Sequence, residues 1–239
     1  MNVLVTGGCG YLGSQLVRDL VRREGLPVST VRILDNLQSG TQEALMDLPP
    51  SGNYQFVEGD ILNPAVLETV LEDIDIVVHL AAVVRTPMSF DEPAWVEQVN
   101  HWGTSHLLES CMDADVDRFI YVSSTAVYGP GGPFSEEDEC NPAGAYAHSK
   151  LEAEKAVRSA RRRGLDATIF RYGTRYGPAP VTRVDAVVNK FAYLAGVGQA
   201  LTIYGSGDQT RPFIDVRDAA ELIGWYLSRS GEGSTELFN

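Results

Sequence analysis

The stretch Val3-Leu4-Val5-Thr6-Gly7-Gly8-Cys9-Gly10-Tyr11-Leu12-Gly13-Ser14-Gln15-Leu16-Val17 decides how the chain is built. Val3–Thr6 is an apolar run of the kind a strand covered on both faces needs, and Tyr11–Arg23 carries helical spacing. Between them Gly7, Gly10 and Gly13 fall three residues apart. In such a turn the first glycine permits a tight bend, the second lets backbone approach a pyrophosphate, and the third packs helix on strand. The first amides of the helix then point at the same place, where an anion is favoured. A glycine triplet alone is a weak signal; one set between a strand and a helix is a stronger one. Cys9 reads only as a small residue within the turn.

Outward from this unit the same rhythm repeats. Val31–Asp35, Tyr54–Val57, Ile74–Leu80, Arg118–Ser123 and Ala167–Arg171 read as further strands. Pro64–Glu72, Trp95–Met112 and Tyr146–Arg162 read as helices between them. Near-continuous apolar strands alternating with helices predict a parallel sheet covered on both faces, with ligands beyond the carboxyl ends of its strands. After Tyr172 the alternation breaks. Gly177-Pro178-Ala179-Pro180 is a loop, Val184–Leu194 a helix, Leu201–Tyr204 a short strand and Gly205-Ser206-Gly207-Asp208 a turn. Phe213–Val216 and Arg217–Ser228 return to strand and helix, and Glu236-Leu237-Phe238-Asn239 begins another strand.

Composition removes several classes of function. The 239 residues are 44% apolar and 21% charged, enough for one large domain or one and a half. Thirty-two acidic against 19 basic residues give a net charge of -13, and the pI is near 4.7. A nucleic-acid partner would need a basic face, and the one basic cluster, Arg161-Arg162-Arg163, reads as the solvated end of a helix. Cys9, Cys111 and Cys140 are odd in number and lack metal-ligand spacing, which predicts a reduced, cytoplasmic protein without a metal site. The chain opens directly on a strand, with no signal-like segment and no long apolar run, so no membrane association is expected.

Asp35 closes the second strand, 22 residues after Gly13. A carboxylate there accepts from both hydroxyls of an adenosine ribose and repels a 2'-phosphate, which favours NAD over NADP as cofactor. Asn36 shares that contact. Arg32 could accommodate a phosphate, but its strand parity relative to Asp35 is odd and turns it elsewhere. Asp60, with Ile61, ends the third strand where an acid accepts from the adenine amino group; the plain alternative is an N-cap before Pro64.

Tyr146 and Lys150 stand at i and i+4, on one face of a helix. A phenol near its ordinary pKa of about 10 is a poor base, and a neighbouring ammonium favours the phenolate. The same Lys can hold a nicotinamide ribose. Upstream, Ser123-Ser124-Thr125 places hydroxyls at the carboxyl edge of the sheet, where one can bond the substrate oxygen. The lone histidines, His79 and His148, read as structural, and Trp95, Trp102 and Trp225 as packing.

Together, Thr6–Gly13, Asp35-Asn36-Leu37, Gly59-Asp60-Ile61, His79-Leu80-Ala81-Ala82, Asn100 with Gly103-Thr104, Ser123-Ser124 with Val127-Tyr128-Gly129, and Tyr146 with Lys150 resemble the extended short-chain dehydrogenase/reductases. Within them the chain resembles the NAD-dependent epimerase/dehydratase group that acts on nucleotide sugars, over nearly its whole length. The resemblance implies an α/β fold: a Rossmann-type doubly wound parallel sheet with a small, incomplete C-terminal substrate-binding domain. Residues 1–176 would be the NAD-binding domain, with 213–239 returning to it, and 177–212 part of the substrate domain. It also implies Ser124, Tyr146 and Lys150 as catalytic, Ser124 being chosen because it stands three before Val127. Cofactor contacts would come from Gly7, Gly10, Tyr11, Leu12, Gly13, Asp35, Asn36, Asp60, Ile61, Leu80, Ala81, Ala82, Asn100, Tyr146, Lys150 and Tyr172. Asn100 as a helix-interior polar residue is the alternative there.

The family's chemistry is oxidation of a sugar hydroxyl to a 4-keto intermediate. Its dehydratases carry an Asp-Glu pair after the catalytic Thr; those places hold Thr125 and Ala126. A Glu near the same spot, common in the sugar-acid decarboxylases, is missing too. That leaves a 4-epimerase, on a UDP-hexose by default, or alternatively a plain NAD-dependent oxidoreductase or a non-catalytic NAD-binding module. Ser124, Thr125, Thr174 and Arg211 are the substrate candidates. Thr174 replaces the Asn of the family's Arg-Tyr-Phe-Asn segment. Arg211 follows Ile203-Tyr204-Gly205-Ser206-Gly207-Asp208-Gln209-Thr210, a turn whose Arg grips nucleotide phosphates, with a surface Arg as the alternative. Pairing as a homodimer through Trp95–Met112 and Tyr146–Arg162 is implied as well. Family members continue past the point where this chain ends, which predicts a truncated piece or a short variant with an open substrate site.

Overall fold

The computed structural model describes residues 1–84, 92–203, 205–229 and 236–239. Seven parallel strands form the main sheet in the order β3-β2-β1-β4-β5-β6-β9. They are β1 (Asn2–Thr6), β2 (Thr30–Asp35), β3 (Tyr54–Glu58), β4 (Ile76–His79), β5 (Arg118–Ser124), β6 (Asp166–Tyr172) and β9 (Leu237–Phe238). Strand order reverses between β1 and β4, so the glycine turn after β1 opens onto the crevice where α/β sheets take ligands.

Strand parity divides the core into two layers. Val3, Val5, Ile33, Val78, Ile120, Val122 and Phe170 face helix α1 (Tyr11–Arg22) and helix α7 (Val216–Leu227), meeting Leu16, Leu20, Ala219 and Ile223. Leu4, Leu34, Val77, Phe119 and Ile169 face α2 (Pro64–Val70), α4 (Thr104–Asp113) and α5 (Ala145–Arg162), meeting Leu67, Leu107, Ala153 and Val157. Burial of one apolar side chain of this size contributes about 1.5–3 kcal/mol, so the two layers supply the main drive to fold.

Several expectations are corrected here. The helix expected over Trp95–Met112 begins earlier, as α3 (Pro93–Glu97), and passes through a π-helical turn, Gln98–Gly103, before α4. Thr104 Oγ1 donates to the Asn100 carbonyl at 2.6 Å, and such back-bonding distorts a helix. Residues 201–203 form no strand, and among the described residues none pairs with them; Tyr204 falls outside the described residues. A strand that the sequence pattern hid, β7 (Thr174–Tyr176), pairs in parallel with β8 (Phe213–Asp215) as a separate two-stranded sheet. Helix α6 (Val187–Gly196) starts later than Val184 and buries none of its residues. No helix among the described residues is long and apolar enough to cross a membrane.

Candidate active site

One cavity of about 860 Å³ lies along the carboxyl edge of the main sheet. The glycine turn forms its floor. Gly7 needs its φ of +69°, and a Cβ there would stand 2.6 Å from the Ala81 amide nitrogen; a Cβ on Gly13 would stand 2.3 Å from the Gly7 carbonyl oxygen. Gly10 caps α1 without a side-chain bond, and the first helical bond is Ser14 N–H to Gly10 O at 2.8 Å. The amides of Tyr11, Leu12 and Gly13 therefore precede any carbonyl of their own helix and can serve an anion. A pyrophosphate fits this cradle; a bulkier turn would fill it.

At one end of the cavity stand Asp35, Asn36, Asp60 and Ile61. Asp35 accepts from the Cys9 and Leu37 amides at 2.9 Å each. Burial still pushes its pKa up, while those two bonds pull the other way. Asp60 accepts from Asn36 Nδ2 at 2.8 Å and from the Leu62 amide at 2.9 Å. The N-cap of α2 is Asn63, which accepts from the Ala65 amide, so Asp60 has no capping duty. Arg32 is turned away, bonded to Gln55, Val70 and Glu72. Cys9 is buried and its thiol is pushed up to about 12, by burial and then by Asp35, which makes it inert.

At the other end Tyr146 and Lys150 line the wall beside Leu80, Ala81 and Ala82. Lys150 is buried; its Nζ donates to the Val122 carbonyl at 2.9 Å and sits 4.8 Å from the centre of the Tyr121 ring. Burial, and next the charge of Arg175, lower its pKa to about 7, while Glu154 opposes them.

The remaining candidates divide. Ser124 and Thr125 do not line the cavity. Ser124 Oγ accepts from the Ala126 amide at 3.2 Å and keeps its own O–H for donation. Ser123 does line it, but its hydroxyl donates to Glu154 at 2.5 Å, beside the buried Arg171–Glu154 pair. Asn100 lies behind the wall: its Oδ1 accepts from the Val83 amide at 2.7 Å, and its Nδ2 donates to the Val83 carbonyl and to Ser149 Oγ. It ties a wall residue to the helix that carries Tyr146 and Lys150. Tyr172 is buried in the opposite layer, its hydroxyl donating to Ala219 O at 2.8 Å. Thr174 and Arg211 lie off the cavity, Arg211 exposed. Like Ser124 and Thr125, these three do not line the cavity with the rest.

His79 bridges Thr6 Oγ1 at 2.6 Å and Thr104 Oγ1 at 2.9 Å, and burial drives its pKa down to about 3. Neutral, it completes a chain of bonds from the Ala81 amide through Thr6 and Thr104 to the Asn100 carbonyl. Sequence reasoning missed Arg175 and the segment Val181–Asp185, which also line the cavity. Tyr11 holds this segment down: its hydroxyl donates to Gly177 O at 2.5 Å and accepts from Asn189 at 3.0 Å, while Asn189 also bonds Arg183 O. Among the described residues no group of three or more His, Cys, Asp or Glu could hold a metal ion.

The model of the NAD dependent epimerase/dehydratase family matches residues 3–239. The low-salt glycan biosynthesis protein Agl12 of Haloferax volcanii is 34% identical over 242 residues, covering 100% of this chain and 76% of its own length. A dTDP-glucose 4,6-dehydratase from Streptomyces venezuelae, solved with NAD, superposes with a TM-score of 0.88 at 32% identity, over 96% of this chain and 72% of that one. A UDP-glucose 4-epimerase from Thermotoga maritima, solved with UDP-glucose, gives 0.88 at 30% identity, over 100% and 76%.

Proposed function

The chain belongs to the NAD-dependent epimerase/dehydratase family, and from that premise we propose that it epimerises a nucleotide sugar, a UDP-hexose in the first instance, at C4. The observation that carries this reading is that Tyr146 and Lys150 line the same cavity as the glycine turn, with Lys150 anchored on Val122. The backbone amides at the start of α1 would hold the pyrophosphate of NAD, and Asp35 its adenosine ribose. NAD, when bound, supplies an acceptor that takes a hydride from the sugar carbon and gives it back.

Tyr146 takes the proton of the C4 hydroxyl as that carbon is oxidised and returns it after the ketone has turned its other face. Lys150, one helical turn on and lining the same cavity, is placed to hold the nicotinamide ribose hydroxyls. Ser124, at the end of β5 just outside the cavity lining, is the proposed donor to the same substrate oxygen; Ser123 lines the cavity, but its hydroxyl is committed to Glu154. Thr125 and Ala126, in the turn after Ser124, bring no titratable group, which supports epimerisation over dehydration although relatives of both kinds match. Cytoplasmic residence and pairing through the two long helices belong to the same proposal.

The test is turnover of UDP-glucose and UDP-galactose without added NAD. Tyr146→Phe should lower it by about 10²–10⁴-fold with NAD still bound. A product lighter by water or CO₂, or a stoichiometric change in nicotinamide absorbance, would replace epimerisation by dehydration, decarboxylation or net oxidation. Near-normal turnover by the variant would end the proposed role of Tyr146.

A further inference from the structure

Three cations line the catalytic end of the cavity: Lys150, Arg175 and Arg183. Two are answered. Arg183 lies bidentate on Asp185, with Nε and an Nη each 3.0 Å from a carboxylate oxygen. Lys150 donates to Val122 O and has Glu154 acting on its charge. Arg175, the central residue of β7, is partly buried. Among the described residues its guanidinium donates no hydrogen bond and has no carboxylate within 4.0 Å; the groups acting on its charge are Tyr146, Arg183, Tyr172 and Tyr11. The carboxylates at the far end are also engaged, Asp35 by backbone amides and Asp60 by Asn36 and Leu62. Glu92 stands exposed at the rim.

A half-buried guanidinium flanked by two more cations is costly unless an anion meets it. Its planar fork suits a carboxylate held by two parallel bonds. We infer that Arg175 receives a carboxylate borne on C6 of the substrate sugar, so that this cavity selects a nucleotide-linked hexuronate over the neutral hexose. The inference rests on oxidation at C4 by Tyr146, as proposed above. C6 is attached to C5, next to C4, whereas the diphosphate hangs from C1 across the ring. An arginine that lines the same cavity as Tyr146, close enough for the two to act on each other's charge, therefore meets the C6 group first. Thr174, its neighbour on β7, leaves the cavity to Arg175.

The test is calorimetric binding to the NAD-loaded Tyr146→Phe protein, with and without Arg175→Met and Arg175→Lys. The probes are UDP-glucuronate against UDP-glucose, and the dTDP pair. Glucuronate should bind at least about 10-fold tighter than glucose. Arg175→Met should cost glucuronate on the order of 100-fold, collapsing the ratio toward one, and Arg175→Lys should restore part of it. Equal losses on both sugars would move Arg175 onto the diphosphate, and a loss of NAD affinity would move it onto the cofactor; either overturns the inference. Should glucose and glucuronate bind alike while Tyr146-intact protein epimerises glucose, the inference alone falls. Should neither sugar bind with either nucleotide, the nucleotide-sugar reading falls with it.

Discussion

Lys150 carries an ammonium into a buried position, and the thermodynamic consequence has a sign. An unfolded lysine keeps its proton to about pH 10.4, whereas Lys150 releases it near pH 7. Between those values the unfolded chain holds more protons, so stability rises with pH. Below pH 7 both states are charged and the cost of burial, a few kcal/mol, stands in full. In cofactor-free protein Lys150→Met should therefore outlast wild type in thermal melts at pH 6.5. The gain should shrink as pH climbs from 7 to 10, and one that stayed constant would mean an ordinary lysine. The Tyr146–Lys150 pair was legible because helical period fixes which residues share a face. Arg175 was not, because three residues of strand carry too short an alternation to show a side. Tyr172 shows a related effect: it ends a strand beside the cavity, yet parity sends its ring into the other layer, where Ala219 O takes its hydroxyl.

At the scale of elements, the segment from Pro93 to Asp113 shows what periodicity cannot convey. Its apolar spacing reads as one helix, and the π-helical turn in its middle depends on contacts far away in sequence. Asn100 turns inward to clasp both backbone groups of Val83 and the hydroxyl of Ser149, and Gly103 presses so close to Ile61 that a Cβ would stand 2.8 Å from Cδ1. Replacing Asn100 by Leu strands the part-buried N–H and C=O of Val83, while Ser149 keeps only its bond to the Tyr146 carbonyl. Asn100→Leu should cost about 2–4 kcal/mol in urea unfolding and weaken NAD binding through the slackened Val83 wall. A cost below about 1 kcal/mol would show that the clasp is incidental. The strand–turn–helix start, by contrast, was readable in full, since its glycines answer local demands of turn, approach and packing.

Across the whole molecule, a net charge of -13 surrounds a cavity meant for anions. Long-range repulsion should slow the arrival of NAD, and salt should relieve it. The association rate is expected to rise between 20 and 200 mM salt, by about 2–5-fold, in stopped-flow measurements on cofactor-free protein. A rate that fell with salt would mean that Lys150 and Arg175 dominate the approach. The parallel sheet covered on both faces was legible because each strand–helix unit announces itself, whereas its doubly wound character came with the family resemblance. The small β7–β8 sheet was not, because two short strands nearly forty residues apart define each other only by pairing.

That α1 shares its layer with α7 also bears on how the protein is made. Leu16 and Leu20 are cloaked by Ala219 and Ile223, which leave the ribosome some two hundred residues later. At about 5–20 residues per second the interval lasts roughly 10–40 s. Throughout it the nascent chain displays an oily ridge that its own later residues have yet to cover, a standing invitation to chaperones and to its neighbours on the same messenger.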